Sequence, residues 1–310
     1  MSYAPGKLMI AGEYSVLFGG KSLVAACNNY QAIAKFKASS KWSFFARTNA
    51  SYINHNEHKL FVAAQKAALN LGITPKVGAY YLDTSVFYNP QSKNKLGLGS
   101  SAAGTTALSK LFLAQAGVED RQTLLRLALA AHKNFSGEIG SGADIAAATY
   151  ETLIEFYNTP QGPHIKPIEL SWWPASIWID TGRPQNTRTF VAQVLSTAQK
   201  DPAFIKQFVE ESNFYCSELQ ASKSPEQTVL LITNLYILLK KLSLRCKLNI
   251  ISAEHRAIHE LALSLGGSAK PSGAGGGDLS IAWVPITSTG NFIESIGKLG
   301  FQVLSKKSKN

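Results

Sequence analysis

Three glycine-rich segments of this 310-residue chain hold the residues whose types and spacing could do chemistry. They are residues 4–14, APGKLMIAGEY; residues 96–103, LGLGSSAA; and residues 270–278, KPSGAGGGD. Glycine lets a backbone approach a ligand closely, while lysine, serine and aspartate supply a cation, a hydroxyl and a carboxylate. We therefore take each of the three segments as a candidate for ligand binding.

The second segment stands directly before Ser100 to Ala116, a stretch rich in small residues with a helical pattern. Gly97 and Gly99 permit tight backbone approach, and the N–H groups of a first helical turn point outward. Such donors bind phosphate together with the helix dipole. The hydroxyls of Ser100 and Ser101 can cap the helix or ligate Mg²⁺, and a plain turn is the remaining alternative.

Two other phosphate-binding motifs are excluded by their context. Residues 97–102 formally match the G-x-G-x-x-A pattern of dinucleotide folds, which needs a strand before the loop and another after the helix. Here a polar loop precedes the glycines and a second helical pattern follows. Residues 20–22, GKS, resemble the end of a Walker A loop, but Ser15 stands where its first glycine belongs.

The third segment has four glycines in the five positions 273–277, which predicts a loop that another group approaches closely. A tight structural loop is the alternative. Asp144 follows a Gly-Ser-Gly turn and can be a helix N-cap, while Lys7 lies in a Pro-Gly turn and can be a solvated lysine. The residues alone leave both alternatives open beside a chemical role.

The elements that position these segments mix strand and helix patterns, which predicts an α+β fold. Strands are predicted at 8–11, 22–26, 31–36, 79–88, 178–180, 279–284 and 301–304. Helices are predicted at 60–71, 100–116, 121–132, 145–148, 189–244, 252–265 and 292–299. A boundary near residue 180 divides the chain into predicted domains 1–180 and 181–310.

Composition narrows the class of protein. Apolar residues make up 45% of the chain and charged residues only 16%. The net charge is +11, and there is no dense basic run before the tail. This charge pattern favours an anionic small molecule as the binding partner over nucleic acid or a membrane surface. No apolar run reaches the roughly 20 residues of a membrane helix, and no signal peptide is visible. The scattered cysteines 27, 216 and 246 predict buried thiols in a reducing, cytoplasmic setting.

Taken in order, the three segments resemble the three motifs of the GHMP kinase superfamily, which includes the galactose, homoserine, mevalonate and phosphomevalonate kinases. The resemblance spans nearly the whole chain. It implies an N-terminal domain of the ribosomal-S5-domain-2 type, a ferredoxin-like C-terminal domain and an active site between them. The details are most similar to the phosphomevalonate kinases, at residues 4–16, 95–103, 131–133, 140–146, 181–187 and 269–278.

The resemblance implies phosphorylation of phosphomevalonate, a small anionic substrate, with ATP and Mg²⁺ as cofactors. Asp144 and Lys7 are the expected catalytic residues, and Ser101 is the expected protein ligand of the metal. The ATP phosphates are expected at Lys95, Gly97, Leu98, Gly99, Ser100, Ser101, Ala102 and Ala103. Substrate binding is expected at Lys7, Tyr14, Ser141, Arg183, Thr187, Lys270, Ser272, Gly273, Ala274 and Gly275.

The chain departs from the family pattern near Asp144. Glu151 and Thr152 replace a glycine pair, residues 137–140 (GEIG) replace Gly-Asn-Gly, and Lys133 stands where mevalonate kinases carry a Mg²⁺-binding glutamate. These departures bear on the acceptor more than on the kinase assignment. The alternatives are a mevalonate kinase or another GHMP small-molecule kinase, the related decarboxylase, and a catalytically silent GHMP-like ligand-binding protein. A homodimer is one option for the assembly.

Overall fold

The computed structural model describes residues 1–49, 52–54, 58–137, 140–185 and 187–304. The chain forms two compact units, the first from Met1–Leu8 with Val24–Ile154 and the second from Met9–Leu23 with Glu155–Asn310. This grouping differs from a single boundary near residue 180, because residues 9–23 pack with the C-terminal part of the chain. The domain ranges 1–180 and 181–310 stay a prediction.

Strands and helices are interspersed along the whole chain, so the predicted α+β class is confirmed. The elements up to residue 150 are β1 (Ser2–Ala11), β2 (Ser22–Ala38), β3 (Ser43–Arg47), β4 (Ile53–Asn54), α1 (Lys59–Asn70), β5 (Gly78–Asp83), α2 (Ser100–Gln115), α3 (Arg121–Ser136) and α4 (Ala143–Tyr150). They are followed by β6 (Ile154–Thr159), β7 (Gly162–Pro167), β8 (Ile177–Asp180), α5 (Thr187–Lys200), α6 (Pro202–Ala221), α7 (Pro225–Arg245), α8 (Ala253–Ser264), β9 (Ser268–Ser272), β10 (Leu279–Trp283), α9 (Thr289–Lys298) and β11 (Gln302–Leu304).

The larger sheet has the strand order β4-β3-β5-β2-β6-β7, and β1 pairs with β2. Strand β3 is parallel to β5, and β2 is antiparallel to it. Strand β2 runs unbroken for 17 residues where the sequence predicted two strands, because the exposed Asn28 and Asn29 interrupt the apolar pattern but not the extended backbone. Strand β5 is shorter than predicted, since the Asp83 carboxylate accepts hydrogen bonds from the Ser85 N–H and hydroxyl and turns the chain.

Helices α1 to α4 pack on one another in the first unit. An aromatic cluster of Phe44, Phe61, Tyr80 and Phe112 fills the space beside them, with ring centroids 4.6–6.2 Å apart. All four rings are almost completely buried. The cluster packs α1 and α2 onto strands β3 and β5, and α2 carries the second glycine segment at its start.

The smaller sheet of the second unit is antiparallel and has the order β11-β8-β10-β9. Counted along the chain within this sheet, the order is 4-1-3-2, with helices between the first and second strands and between the third and fourth. This βαββαβ arrangement confirms the expected ferredoxin-like part. Helices α8 and α9 cover the sheet, with Ile258 and Phe292 packed against Ile179 and Ala282.

The described helices include α6 and α7, of 20 and 21 residues. Both contain charged side chains, at both ends of α7 and at several positions of α6. Within the described ranges no helix is both long enough and apolar enough to cross a membrane.

Candidate active site

Helix α2 begins without a capping side chain. Its N-cap is Gly99, in the left-handed conformation with φ 75° and ψ 41°, and it makes no side-chain capping hydrogen bond. In helices α3, α6, α7 and α8, by contrast, an Asp or Ser at the N-cap accepts an N–H of the first turn. The capping role considered for Ser100 and Ser101 is therefore wrong, and the N–H groups of this turn stay available to an anion.

Lys7 lies against this helix start. Its backbone N–H donates to the Leu98 carbonyl at 2.9 Å, and a Cβ placed on Gly99 would lie 3.1 Å from Cγ and 3.4 Å from Cε of Lys7. A Cβ on Gly6 would lie only 2.5 Å from the Leu98 oxygen, so Gly6 is needed for this approach. The structure thus brings together two segments that are about ninety positions apart in the sequence.

Substituting Gly99 tests this contact. We expect Gly99→Ala to raise the KM for ATP by about tenfold, because the new methyl displaces the Lys7 side chain and disturbs the turn predicted to bind phosphate. Gly117→Ala is the matched control, since Gly117 has a similar φ of 70° but open space around its Cα. Both variants should lose about 1 kcal/mol of unfolding free energy. Equal KM values for the two variants would contradict a functional role for the Gly99 contact.

Ser101, the expected metal ligand, is half-buried in the first turn of α2. Its hydroxyl oxygen lies 3.4 Å from Nε2 of His132 on α3, and its carbonyl accepts a hydrogen bond from the Thr105 hydroxyl. His132 is therefore a neighbour of the candidate site, which its position in the sequence alone does not reveal. Among the described residues no cluster of three His, Cys, Asp or Glu side chains is suited to a metal ion.

Asp144 lies in the first turn of α4. The N-cap of this helix is Gly142, so the capping alternative for Asp144 is wrong. The carboxylate is half-buried and its Oδ1 accepts the Ile145 N–H at 2.9 Å. Ser141 precedes it, and its hydroxyl accepts the Ala143 N–H at 3.3 Å, which is a local turn role compatible with its predicted contact to substrate. Helix α4 packs against α2, the helix that carries the second glycine segment.

One departure from the family pattern has a visible structural cost. Glu151, which replaces a glycine, ends α4 in the left-handed conformation with φ 59°. Its carboxylate forms an ion pair with Lys110 of α2, and its carbonyl accepts a hydrogen bond from Asn28. These contacts offset the strain of a side chain at a position suited to glycine. Residues 138 and 139, in the second departure, lie outside the described residues.

Three predicted substrate-binding residues of the second unit make internal contacts instead. Lys270 is fully buried, and its ammonium forms an ion pair with the equally buried Glu13 and donates to the Pro271 carbonyl. Burial lowers the pKa of Lys270, and the Glu13 carboxylate opposes that shift. The Ser272 hydroxyl bonds to the backbone of Met9. This geometry favours a structural role for Lys270 and Ser272.

Tyr14 is the third of these residues. Its hydroxyl donates to the Ala274 carbonyl at 2.5 Å, and its ring is buried in the core around α6 and α7. Burial raises the pKa of this phenol, so the hydroxyl keeps its proton as a donor. Tyr14 therefore fixes the conformation of the glycine loop 273–277 at Ala274.

Asp278 ties this loop to the segment that carries Arg183. Its N–H donates to the Arg183 carbonyl at 2.6 Å, its carbonyl accepts the Thr181 N–H, and its Oδ1 accepts the Gln185 N–H. A Cβ on Gly277 would lie 2.2 Å from the Arg183 oxygen, which explains the need for glycine there. The two segments, both selected from the sequence, are thus in contact within the second unit.

Three further predicted site residues are on the surface. The Arg183 guanidinium is about half exposed and lies 3.7 Å from a carboxylate oxygen of Glu254. Thr187 is the first residue of α5 and is exposed, and Lys95 is exposed beside the turn that precedes Leu96. Their positions are open to a ligand, and their roles stay predictions.

A buried histidine supports the C-terminal end of the glycine loop. His255 is fully buried, with Nδ1 3.2 Å from the Ser252 hydroxyl and Nε2 3.3 Å from the Leu279 carbonyl. Burial lowers the pKa of this imidazole to about 4. The neutral ring therefore links the start of α8 to the start of β10.

The stability of the chain should depend on pH through His255. The unfolded chain binds a proton near pH 6.5 and the folded chain only near pH 4, so acidification across this window favours unfolding by about 3 kcal/mol in total. Urea denaturation gives the unfolding free energies of the wild type and of His255→Gln. We expect the wild type to exceed the variant by the largest amount above pH 6.5, and this difference to decrease as the pH falls to 4. A difference for His255→Gln that stays constant across this pH range would contradict the assignment.

Comparison with known proteins gives the geometry a context. A family model described as the N-terminal domain of the GHMP kinases matches residues 64–152. The phosphomevalonate kinase of Saccharolobus solfataricus is 30% identical over 156 residues, which cover 49% of this chain and 47% of that protein, about half its length. The phosphomevalonate kinase of a Streptomyces species is 26% identical over 333 aligned positions, which cover 90% of this chain and 88% of the relative.

A solved structure extends the likeness to three dimensions. The phosphomevalonate kinase of Streptococcus pneumoniae, in complex with phosphomevalonate and AMPPNP, superposes with a TM-score of 0.83 at 20% identity. The match covers 98% of each chain. It shows that the two chains share a fold.

Proposed function

The chain belongs to the GHMP kinase superfamily, and we propose that this protein transfers the terminal phosphoryl group of ATP to phosphomevalonate, giving ADP and diphosphomevalonate. The choice of acceptor is supported by the two phosphomevalonate kinases that match the sequence. The sequence departures near Asp144 make the acceptor the part of the proposal most in need of a test.

The observation that carries the proposal is the uncapped start of α2 with the Lys7 side chain packed on Gly99. Backbone N–H groups at a helix start hold phosphate oxygens, and a lysine beside them lowers the repulsion between two anionic reactants. Because both reactants carry phosphate, this repulsion is the main electrostatic barrier to their encounter. Lys7 and the α2 dipole act on that barrier from the same place.

In the proposed reaction the bond from the γ-phosphorus to the ADP oxygen breaks as a bond forms to an oxygen of the acceptor phosphate. The Lys7 ammonium stabilises the negative charge that develops on the leaving oxygen. Asp144 orients the attacking group or accepts its proton. A phosphate acceptor is already largely ionised near neutral pH, so orientation is the larger part of this role. Arg183, exposed in the second unit, is proposed to hold an anionic group of the acceptor.

The residues present fit Mg²⁺ as a partner of ATP. This ion retains several waters and binds mainly through substrate phosphates, so a single protein hydroxyl such as Ser101 suffices. When bound, the ion would neutralise part of the negative charge of the phosphates. Ser101 contributes a hydroxyl oxygen at the helix start, and His132 lies within reach of that hydroxyl.

An ADP-release assay with a panel of acceptors tests the proposal. Mevalonate, phosphomevalonate, diphosphomevalonate, galactose and homoserine are supplied in turn with ATP and Mg²⁺, and a reaction without acceptor gives the background. We expect turnover with phosphomevalonate to exceed the others by at least about a hundredfold in kcat/KM. Preference for mevalonate would make the protein another GHMP kinase, and ATP binding without turnover on any acceptor would support a silent ligand-binding protein.

A further inference from the structure

A basic cleft lies between the end of α7 and the start of α8, wholly within the second unit. It has a volume of about 470 Å³ and is outside the residues assigned to the proposed reaction. Three cations line it, Lys240, Lys247 and Arg256, together with the side chains of Tyr236, Leu248 and Ile251. The volume lies in the range of small-molecule sites.

The three cations of this cleft are exposed, and Glu260 of α8 acts electrostatically on Tyr236 together with Arg256. Among the described residues, no carboxylate lies within ion-pair distance of Lys240, Lys247 or Arg256. Two other cations of α7 behave differently, because Lys241 pairs with Glu211 and Arg245 with Asp201. Lys241 and Arg245 thus pair with carboxylates outside the cleft, whereas Lys240 and Lys247 line the cleft without such a pair.

The turn that carries Lys247 is held in a strained conformation. Lys247 has φ 52°, in the left-handed region where a lysine side chain is unfavourable. Ser243 fixes this turn, because its hydroxyl donates to the Leu248 carbonyl at 2.5 Å and accepts the Ile250 N–H at 3.2 Å. The backbone of Lys247 is therefore fixed beside the cleft, while its side chain is exposed.

The same turn contacts the glycine loop 273–277. The Ile250 carbonyl accepts the Gly276 N–H at 2.8 Å, and a Cβ on Gly275 would lie 2.3 Å from that oxygen. The turn beside the cleft and the glycine loop are thus joined directly through Ile250.

We propose that this cleft is a second anion site, for an organic phosphate or diphosphate that carries an apolar portion. Its phosphoryl oxygens bind Lys240, Lys247 and Arg256, and its apolar portion packs on Tyr236, Leu248 and Ile251. The bound ligand acts on the glycine loop through Ile250.

Methyl NMR of the full chain, labelled at Ile and Leu methyl groups and at backbone nitrogen, tests the site with phenyl phosphate as the probe. We expect saturable shifts of the Leu248 and Ile251 methyl signals, with neutral benzyl alcohol giving none. The double variant Lys247→Gly/Arg256→Ala should weaken this binding at least about tenfold. Glycine suits the positive φ of residue 247, so the variant keeps the turn. The control Lys223→Ala removes an exposed cation elsewhere on the second unit and should bind as the wild type does.

The outcomes separate the two parts of the proposal. Absence of local methyl shifts, or an unchanged affinity in the double variant, overturns the site even if phenyl phosphate binds elsewhere on the chain. A shift of the Gly276 amide with the same midpoint supports the link to the glycine loop. Methyl shifts without it overturn that link and leave the site established. None of these readouts depends on kinase activity.

Discussion

Replacing Asp144 by asparagine is expected to lower kcat for phosphoryl transfer by about 10²–10⁴-fold while the protein stays folded. The carboxylate lies half-buried in the first turn of α4, and asparagine keeps an oxygen that can accept the Ile145 N–H, so the helix start is retained. Asparagine keeps the shape of the side chain but loses its charge and its ability to accept a proton. Steady-state kinetics in ADP release, beside thermal unfolding, measures both effects.

Asp120→Asn is the matched control for this experiment. Asp120 also stands at a helix start, where its carboxylate accepts the Thr123 N–H and hydroxyl at 2.6 Å as the N-cap of α3. Asparagine is an equally good cap, so both activity and stability should stay close to the wild type. Full turnover by Asp144→Asn would remove Asp144 from the catalytic residues but would leave the kinase assignment standing.

Removing the Glu13 carboxylate is expected to cost about 3–5 kcal/mol of unfolding free energy. In Glu13→Ala the ammonium of Lys270 keeps its buried position without the anion that pairs with it, since both side chains are almost completely excluded from solvent. Urea denaturation at pH 7 gives the free energy. The double variant Glu13→Ala/Lys270→Met should recover most of the loss, because it removes the charge as well as its partner.

An exposed ion pair provides the comparison for Glu13. Glu294 and Lys298 lie one helical turn apart on α9 with both side chains largely in solvent. Glu294→Ala should change the unfolding free energy by no more than about 0.5 kcal/mol. If Glu13→Ala cost as little as this, Lys270 would have to reach water or lose its proton in the folded protein.

The burial of Lys270 and its pairing with Glu13 could not be predicted from the local sequence. Its place beside a glycine loop predicted a cation that meets the substrate, and the same neighbours fit a buried lysine equally well. What separates the two is the position of Glu13, 257 residues earlier in the chain, and no local pattern reports such a pairing. Tyr14 with Ala274 and Ser101 with His132 are contacts of the same kind.

Features that depend on local backbone geometry were easier to predict. The helices of the first unit follow their apolar spacing, and α1 ends just before Gly72 as expected. The start of α2 at Ser100, with a glycine as its N-cap, follows from Gly97, Gly99 and the small residues after them. Short strands such as β3 and β7 were missed, because their partly exposed residues carry little alternation and their partners supply the hydrogen bonds.

The hydrogen bonds between Met9 and Ser272 have a consequence for synthesis of the chain. Residues 9–23 leave the ribosome early, yet their partners in the second unit include the strand that ends at Ser272. The second unit therefore closes only when most of the polypeptide has been made, and its early segment waits for over two hundred and fifty residues. A gene cut after residue 154 would separate that segment from its unit, so the two halves would have to be expressed together to fold.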